Sequence, residues 1–273
     1  MAPGLAEGQP KVARAKYMDS IRIRNATQNR YTYGSEFVVS VLRDGEGRPN
    51  FVGSAFLLSN NGVFATAKHV LETNPGSNIF DTRLFGLVMI KGTPCRLEIA
   101  QACFHPAADV AVGVVSPTSN KADVIDEYLN IDVPGLYFES DPAHGDIQTY
   151  AFPKSTFEAI EETVVRMNYI PTRYWGKITT FLPRFPLINN EGYQCEVPIE
   201  PGCSGAPVLA AVSGKIIAIN SASVLLGPNQ APIMYASDVR LIGNLFVTDV
   251  DLPGGKSHDK ISITELRALS FIR

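Results

Sequence analysis

Ser204 lies in the run Pro201-Gly-Cys-Ser204-Gly-Ala-Pro207, a serine between glycines just ahead of an apolar, β-prone stretch. Glycines allow backbone angles that other residues avoid, so successive N–H groups can converge on one point beside an exposed hydroxyl. An acyl-transfer site needs both parts, a nucleophile and donors for the oxyanion it creates. A Gly-Ser loop by itself is more often only a loop, so the reading depends on two further residues. His69 follows the apolar run that ends Ala65-Thr66-Ala-Lys68, and Asp109 opens the apolar run Val110-Ala-Val112. An imidazole can accept the serine proton, and a carboxylate can orient that imidazole and stabilise its charged form. Taken singly, the histidine reads as a surface residue and the aspartate as a turn cap. Together they give the order His, Asp, Ser, with 40 residues from His69 to Asp109 and 95 from Asp109 to Ser204.

The elements that must position these three are strands. Phe56–Thr66 carries an Asn61-Gly62 turn between two apolar β-prone runs, and Val208–Asn220 repeats the arrangement around Ser213-Gly214. Both are hairpin signals. Further strands are expected at Glu36–Leu42, Leu84–Ile90, Val110–Val115, Ile147–Phe152, Val164–Ile170, Lys177–Leu182 and Ile233–Ala236. Glycine (22) and proline (19) are spread through the chain as punctuation, which favours an all-β sandwich or barrel fold. Helical signals are few. Asn120–Leu129 reads as a short connecting helix, and Ser262-Ile-Thr-Glu265 has capping-box spacing ahead of Leu266, Leu269 and Ile272 on one face.

The segments Gly53-Ser-Ala-Phe56, Thr66-Ala-Lys-His69-Val70, Asp109-Val-Ala-Val112 and Gly202-Cys-Ser204-Gly-Ala-Pro207 resemble, in order, those of trypsin-like (chymotrypsin-fold) serine peptidases. Gly214-Lys-Ile-Ile-Ala-Ile-Asn-Ser221-Ala222 is similar to the strand pair after the nucleophile in the HtrA-like bacterial branch. The resemblance covers about residues 35–245. It implies two six-stranded antiparallel Greek-key barrels with the active-site cleft between them. The expected division is an N-terminal arm (1–34), a first barrel (35–135) with His69 and Asp109, a second barrel (136–248) with Ser204, and a helical tail (249–273). It also implies roles: Ser204 as nucleophile, His69 as general base and acid, Asp109 as its orienting partner, and the Gly202 and Ser204 N–H groups as oxyanion hole. Ser221 matches a serine beside the aspartate, and Ser221-Ala222-Ser223 matches the edge strand that pairs with substrate backbone.

The chain departs from the family in ways that carry information. Val52 and Val70 stand where secreted trypsins have a cystine, and Cys203 replaces the aspartate that pairs with a new N-terminus in activated zymogens. Ala206 takes the place of a common glycine, a methyl the turn is expected to tolerate. Only about 28 residues follow position 245, too few for the PDZ domain that HtrA proteins usually carry. Pro198 matches the position of the trypsin specificity aspartate, and Ile233 a wall of the S1 pocket, which together imply a shallow apolar pocket for small or medium aliphatic residues.

Bulk properties set the remaining expectations. Hydrophobic residues make up 45% and charged residues 19%, with a formal charge of −3, so neither a basic nucleic-acid stripe nor a membrane-spanning run is present. The basic residues Lys11, Arg14, Lys16, Arg22 and Arg24 read as a solvated arm. Cys95, Cys103, Cys195 and Cys203 are too few and too scattered for a disulfide framework or a zinc site, and no signal peptide is evident. The expectation is a cytoplasmic serine endopeptidase without cofactor or metal, acting on protein or peptide, its regulatory partner unknown. An α/β-hydrolase is disfavoured because Pro207 sits where its helix should begin and because His258 lies in a polar tail. A 3C-like cysteine peptidase would carry its sulfur at position 204; Cys203 is one residue off and reads as a small buried hydrophobe. The reading from a different class is a catalytically silent or partner-activated binding or scaffolding protein on the same fold.

Overall fold

The computed structural model describes residues 11–13, 22–25, 30–45, 49–90, 93–118, 131–161, 164–185, 190–197, 199–224, 233–252 and 256–273. Its body is two closed antiparallel barrels of six strands. The first holds β1 (Val38–Arg43), β2 (Asn50–Leu57), β3 (Val63–Thr66), β4 (Leu84–Ile90), β5 (Thr93–Phe104) and β6 (Ala111–Pro117). The second holds β7 (Asp146–Ala151), β8 (Thr172–Phe185), β9 (Asn190–Glu196), β10 (Pro207–Ala210), β11 (Ile216–Val224) and β12 (Ile233–Asp238). Neighbours run β1-β2-β3-β6-β5-β4 in one and β7-β8-β9-β12-β11-β10 in the other, so the same Greek-key winding occurs twice. Closure leaves neither barrel an open edge along its body.

Both expected hairpins are present, as β2–β3 and β10–β11, and the other expected strands fall within two or three residues of their predicted ends, apart from β8, which begins five residues earlier. At the first of them Gly34–Phe37 forms a helical turn, so the strand begins two residues late, at Val38. Asn120–Leu129 lies outside the described residues. The C-terminal helix Ile263–Ala268 has the predicted capping box: Ser262 Oγ accepts the Glu265 N–H and the Glu265 carboxylate accepts the Ser262 N–H.

Burial follows from strand alternation. Leu42, Phe56, Phe64, Val88, Leu97 and Val112 fill the first barrel with at most 1% exposure, each contributing about 1.5–3 kcal/mol by leaving water. Phe64 fits only because Gly113 faces it across the β3–β6 pair, where a Cβ would stand 2.7 Å from the ring. One apolar cluster runs from that barrel into the second, taking in Tyr150, Phe152, Tyr169, Leu209, Ile216 and Ile219. The Ser40 hydroxyl donates to the Tyr169 hydroxyl at 3.3 Å across the same boundary. The barrels are therefore held together by core as well as by polar contacts.

Candidate active site

Pairing of β3 with β6 brings the first two candidate residues together. Thr66 lies opposite Ala111, so the end of β3 and the start of β6 share one rim of the barrel. The helical turn Lys68–Leu71 follows β3 and carries His69, while Asp109 stands just before β6. Across that rim, His69 Nδ1 lies 3.0 and 2.9 Å from Asp109 Oδ1 and Oδ2, and the His69 backbone N–H donates to Oδ1 at 3.1 Å. An acceptor at Nδ1 fixes the proton there in the neutral imidazole and leaves Nε2 as the basic nitrogen. The His69 side chain is 36% exposed and that of Asp109 19%, so the imidazole reaches the cleft while the carboxylate is more sheltered.

Burial opposes a charge on His69, but the hydrogen bond and charge of Asp109, helped by the Glu72 carboxylate, outweigh it and raise its pKa above 6.5. His105, the other histidine close to Asp109 in sequence, does not compete. Its Nδ1 accepts the Ala107 and Ala108 N–H groups at 3.2 and 2.7 Å, capping its own turn. Burial and the charge of Lys68 lower its pKa, as an acceptor nitrogen requires.

Ser204 enters from the second barrel on the turn before β10. Gly202 and Gly205 flank it at φ +95° and +80°, in the left-handed region where other residues are strained. The turn is fastened to the first barrel: the Ser54 N–H donates to the Ser204 carbonyl at 2.7 Å, and the Thr66 hydroxyl to the Ser54 carbonyl at 2.6 Å. Within it, the Cys203, Gly205 and Ala206 N–H groups donate to the carbonyls of Glu200, Asn220 and Cys203. Among the described residues, the N–H groups of Gly202 and Ser204 have no protein acceptor, which leaves two donors free beside the hydroxyl. No hydrogen bond joins Ser204 to His69, again among the described residues.

The turn has no spare volume. A Cβ at Gly205 would stand 2.0 Å from the Ser54 carbonyl oxygen and 2.2 Å from the Thr66 hydroxyl. Gly205→Ala should destabilise the fold by about 3 kcal/mol or more through clash and left-handed strain together, lowering Tm by roughly 10 °C in a calorimetric scan. A Tm unchanged within 2 °C or so would show that the two barrels are less tightly coupled here. By contrast Ala206, the methyl in place of a glycine, is fully buried among the apolar residues of the second barrel. Cys203 is buried as well, and burial pushes its thiol up to about 11, which takes it out of contention as a nucleophile.

Ser221, Ala222 and Ser223 lie on β11 beyond the reach of β10, whose pairing ends at Pro207 opposite Ile219. On the other side Ala222 and Ser223 pair with Tyr235 and Met234 of β12, and Ser221 sits at the register slip before them. Among the described residues no strand covers the cleft side of this segment, and Ser221 and Ala222 line one cleft with His69 and Asp109. Ser221 does not bond the aspartate; its hydroxyl meets that of Ser237 at 2.7 Å. Ile233, half-buried, opens β12 opposite Glu196 and Val224. Pro198 lies outside the described residues.

Three groups were not singled out in the sequence. Asn190, on β9, accepts the Asp109 N–H through its side-chain carbonyl at 3.3 Å, a contact between the barrels. Glu72, 3% exposed, accepts the Gly76 and Asn78 N–H groups and so holds the loop after His69 against the cleft. Its i,i+4 relation to Lys68 was the one local signal. Asn220 donates through Nδ2 to the Cys203 carbonyl at 2.9 Å. Neither asparagine has a local signal, because each acts on a segment distant in sequence.

A family model described as a trypsin-like peptidase domain matches residues 53–219. No curated protein matches the chain. Among solved structures, an HtrA-type protease, AlgW with tripeptide, is similar at 20% identity over 76% of this chain and 57% of that one, with a TM-score of 0.52. The serine endoprotease from Yersinia pestis is 19% identical over 76% of this chain and 60% of that one, with a TM-score of 0.51. The Rv3671c protease from M. tuberculosis, active form, is 13% identical over 88% and 91%, with a TM-score of 0.51. At these identities the likeness is one of fold. The chain spans 57% and 60% of the first two relatives' own length.

Proposed function

Because the chain belongs to the trypsin-like peptidase family, we propose that it is a serine endopeptidase in which Ser204 attacks the scissile carbonyl. His69 Nε2 takes the serine proton, the acyl-enzyme forms as the amine leaves with that proton, and water releases the acyl group by the same path reversed. Asp109 keeps the imidazole in the tautomer this requires. The N–H groups of Gly202 and Ser204 receive the oxyanion, and substrate backbone pairs along Ser221–Ser223. The observation that carries the reading is the His69–Asp109 pair, its carboxylate less exposed than its imidazole, on a barrel to which the turn carrying Ser204 is itself bonded.

A shallow apolar S1 pocket and a cytoplasmic location belong to the same proposal. Ile233, half-buried at the start of β12, supports the first. The four free thiols, three of them buried, support the second. Digestion of a peptide library followed by mass spectrometry should show cleavage after Ala, Val and similar residues, by wild-type protein only. Dominance of Arg, Lys or Phe before the cut would overturn the pocket, and equal cleavage by Ser204→Ala would overturn the peptidase.

The absent Ser204–His69 bond favours a second reading, a catalytically silent or partner-activated trypsin-fold scaffold. Catalytic hydrogen bonds are often long in the unliganded state and tighten around substrate, so the peptidase reading needs no partner to explain it. The two separate on whether purified protein alone turns over peptide.

A further inference from the structure

We propose that Asn220 is a positioning residue that aims the Ser204 N–H into the oxyanion site. This inference rests on the peptidase reading above. A trans peptide is planar, so the carbonyl of one residue and the N–H of the next point in opposite directions. Whatever holds the Cys203 carbonyl therefore sets where the Ser204 N–H points. That carbonyl accepts two bonds, from Asn220 Nδ2 at 2.9 Å and from the Ala206 N–H at 3.1 Å. The Ala206 bond lies within the turn and moves with it. Among the described residues, Asn220 alone ties the peptide to a strand of the barrel.

Asn220 is well placed to act as a fixed anchor. It is 1% exposed, and its backbone accepts from the Gly205 N–H and donates to the Ala206 carbonyl at 2.7 and 2.9 Å. The pairing of β11 with β12 slips by one residue between Asn220 and Ala222. Such a bulge re-aims side chains: Ser221 meets Ser237 on β12, while Asn220 reaches the nucleophile turn. The other end of the amide speaks for the same role. Asn220 Oδ1 is buried without a hydrogen-bond partner, a destabilising arrangement that a leucine of similar shape would remove. Stability alone therefore does not call for an amide at this position, whereas orientation of the 203–204 peptide does.

The test compares Asn220→Leu and Asn220→Asp with wild type on one peptide amide substrate, together with a peptide aldehyde inhibitor. The aldehyde's tetrahedral adduct places its oxygen where the oxyanion forms. Expected for Asn220→Leu are a kcat about 10- to 100-fold lower, less than or comparable to outright loss of an oxyanion donor, an unchanged KM, and aldehyde affinity reduced by a similar factor. Its Tm should match or exceed that of wild type. Asn220→Asp, which sets a carboxylate against the carbonyl, should lose at least as much. If Asn220→Leu does not fold, Asn220→Ser, whose hydroxyl is too short to reach, should show the same split. Wild-type kcat and aldehyde affinity in a folded variant would overturn the inference and leave the peptidase reading standing. A wild-type protein inert toward both substrate and aldehyde would overturn both.

Discussion

Ser204→Ala should abolish peptide hydrolysis, lowering kcat by about a million-fold, while the protein stays folded with an unchanged Tm. The expectation of size comes from the division of labour in the site. Without the hydroxyl there is no acyl-enzyme, and what remains is substrate binding and the two free N–H groups. The expectation of stability comes from the turn's own bonds. They run through backbone atoms of Cys203, Ser204, Gly205 and Ala206 to Ser54 and Asn220, and among the described residues the Ser204 hydroxyl takes part in none of them. Active-site titration with a peptide ester, alongside a thermal melt, checks both halves. A folded variant with more than a few per cent of wild-type activity would mean that another group is the nucleophile.

Asp109→Asn should lower kcat by about 10⁴-fold, because an amide that presents an N–H to Nδ1 stabilises the wrong imidazole tautomer. It should also move the pH profile. In the wild type, Asp109 and Glu72 raise the His69 pKa above its ordinary value against the effect of burial. Hydrolysis requires neutral His69, so kcat/KM should rise with pH through a midpoint above 6.5. With the carboxylate gone the opposing effect of burial remains, and the midpoint should fall. The stability linkage has the matching sign. A raised folded-state pKa stabilises the protein fully below the unfolded value and progressively less as pH rises through the folded one. Profiles of kcat/KM for the two proteins between pH 5 and 9 or so decide the matter; an acid limb that stays in place would mean that Asp109 does not set the His69 charge.

Much of this site was legible because its parts sit beside strong local signals. His69 and Asp109 each adjoin an apolar strand, Ser204 a glycine pair and a hairpin, and the capping box at Ser262 is written in four residues. The strands themselves were easiest where one face is buried on each side of a clear turn. β5 and β9 were not anticipated. The first carries Arg96, Glu98 and Gln101 among its apolar residues, and the second, Asn190–Glu196, is largely polar and contains a glycine. Both are strands because neighbours on each side of a closed barrel satisfy their backbone. Asn190 and Asn220 were hidden for a related reason. Each side chain serves a backbone group that folding alone brings near, Asp109 in one case and Cys203 in the other. Ser221 shows the converse: the resemblance placed it beside the aspartate, and the register slip in β11 turns its hydroxyl to Ser237 instead.

The central claim is that Ser204 is a nucleophile activated by His69, and covalent labelling tests it without knowledge of the substrate. Folded wild-type protein should react with a biotinylated fluorophosphonate to give a single adduct, located by mass spectrometry to Ser204 in the tryptic peptide 185–215. Ser204→Ala should give none, and His69→Ala should react at least 100-fold more slowly, as loss of a general base predicts. Folded wild-type protein that stays unlabelled, or an adduct of equal yield in Ser204→Ala, would contradict it.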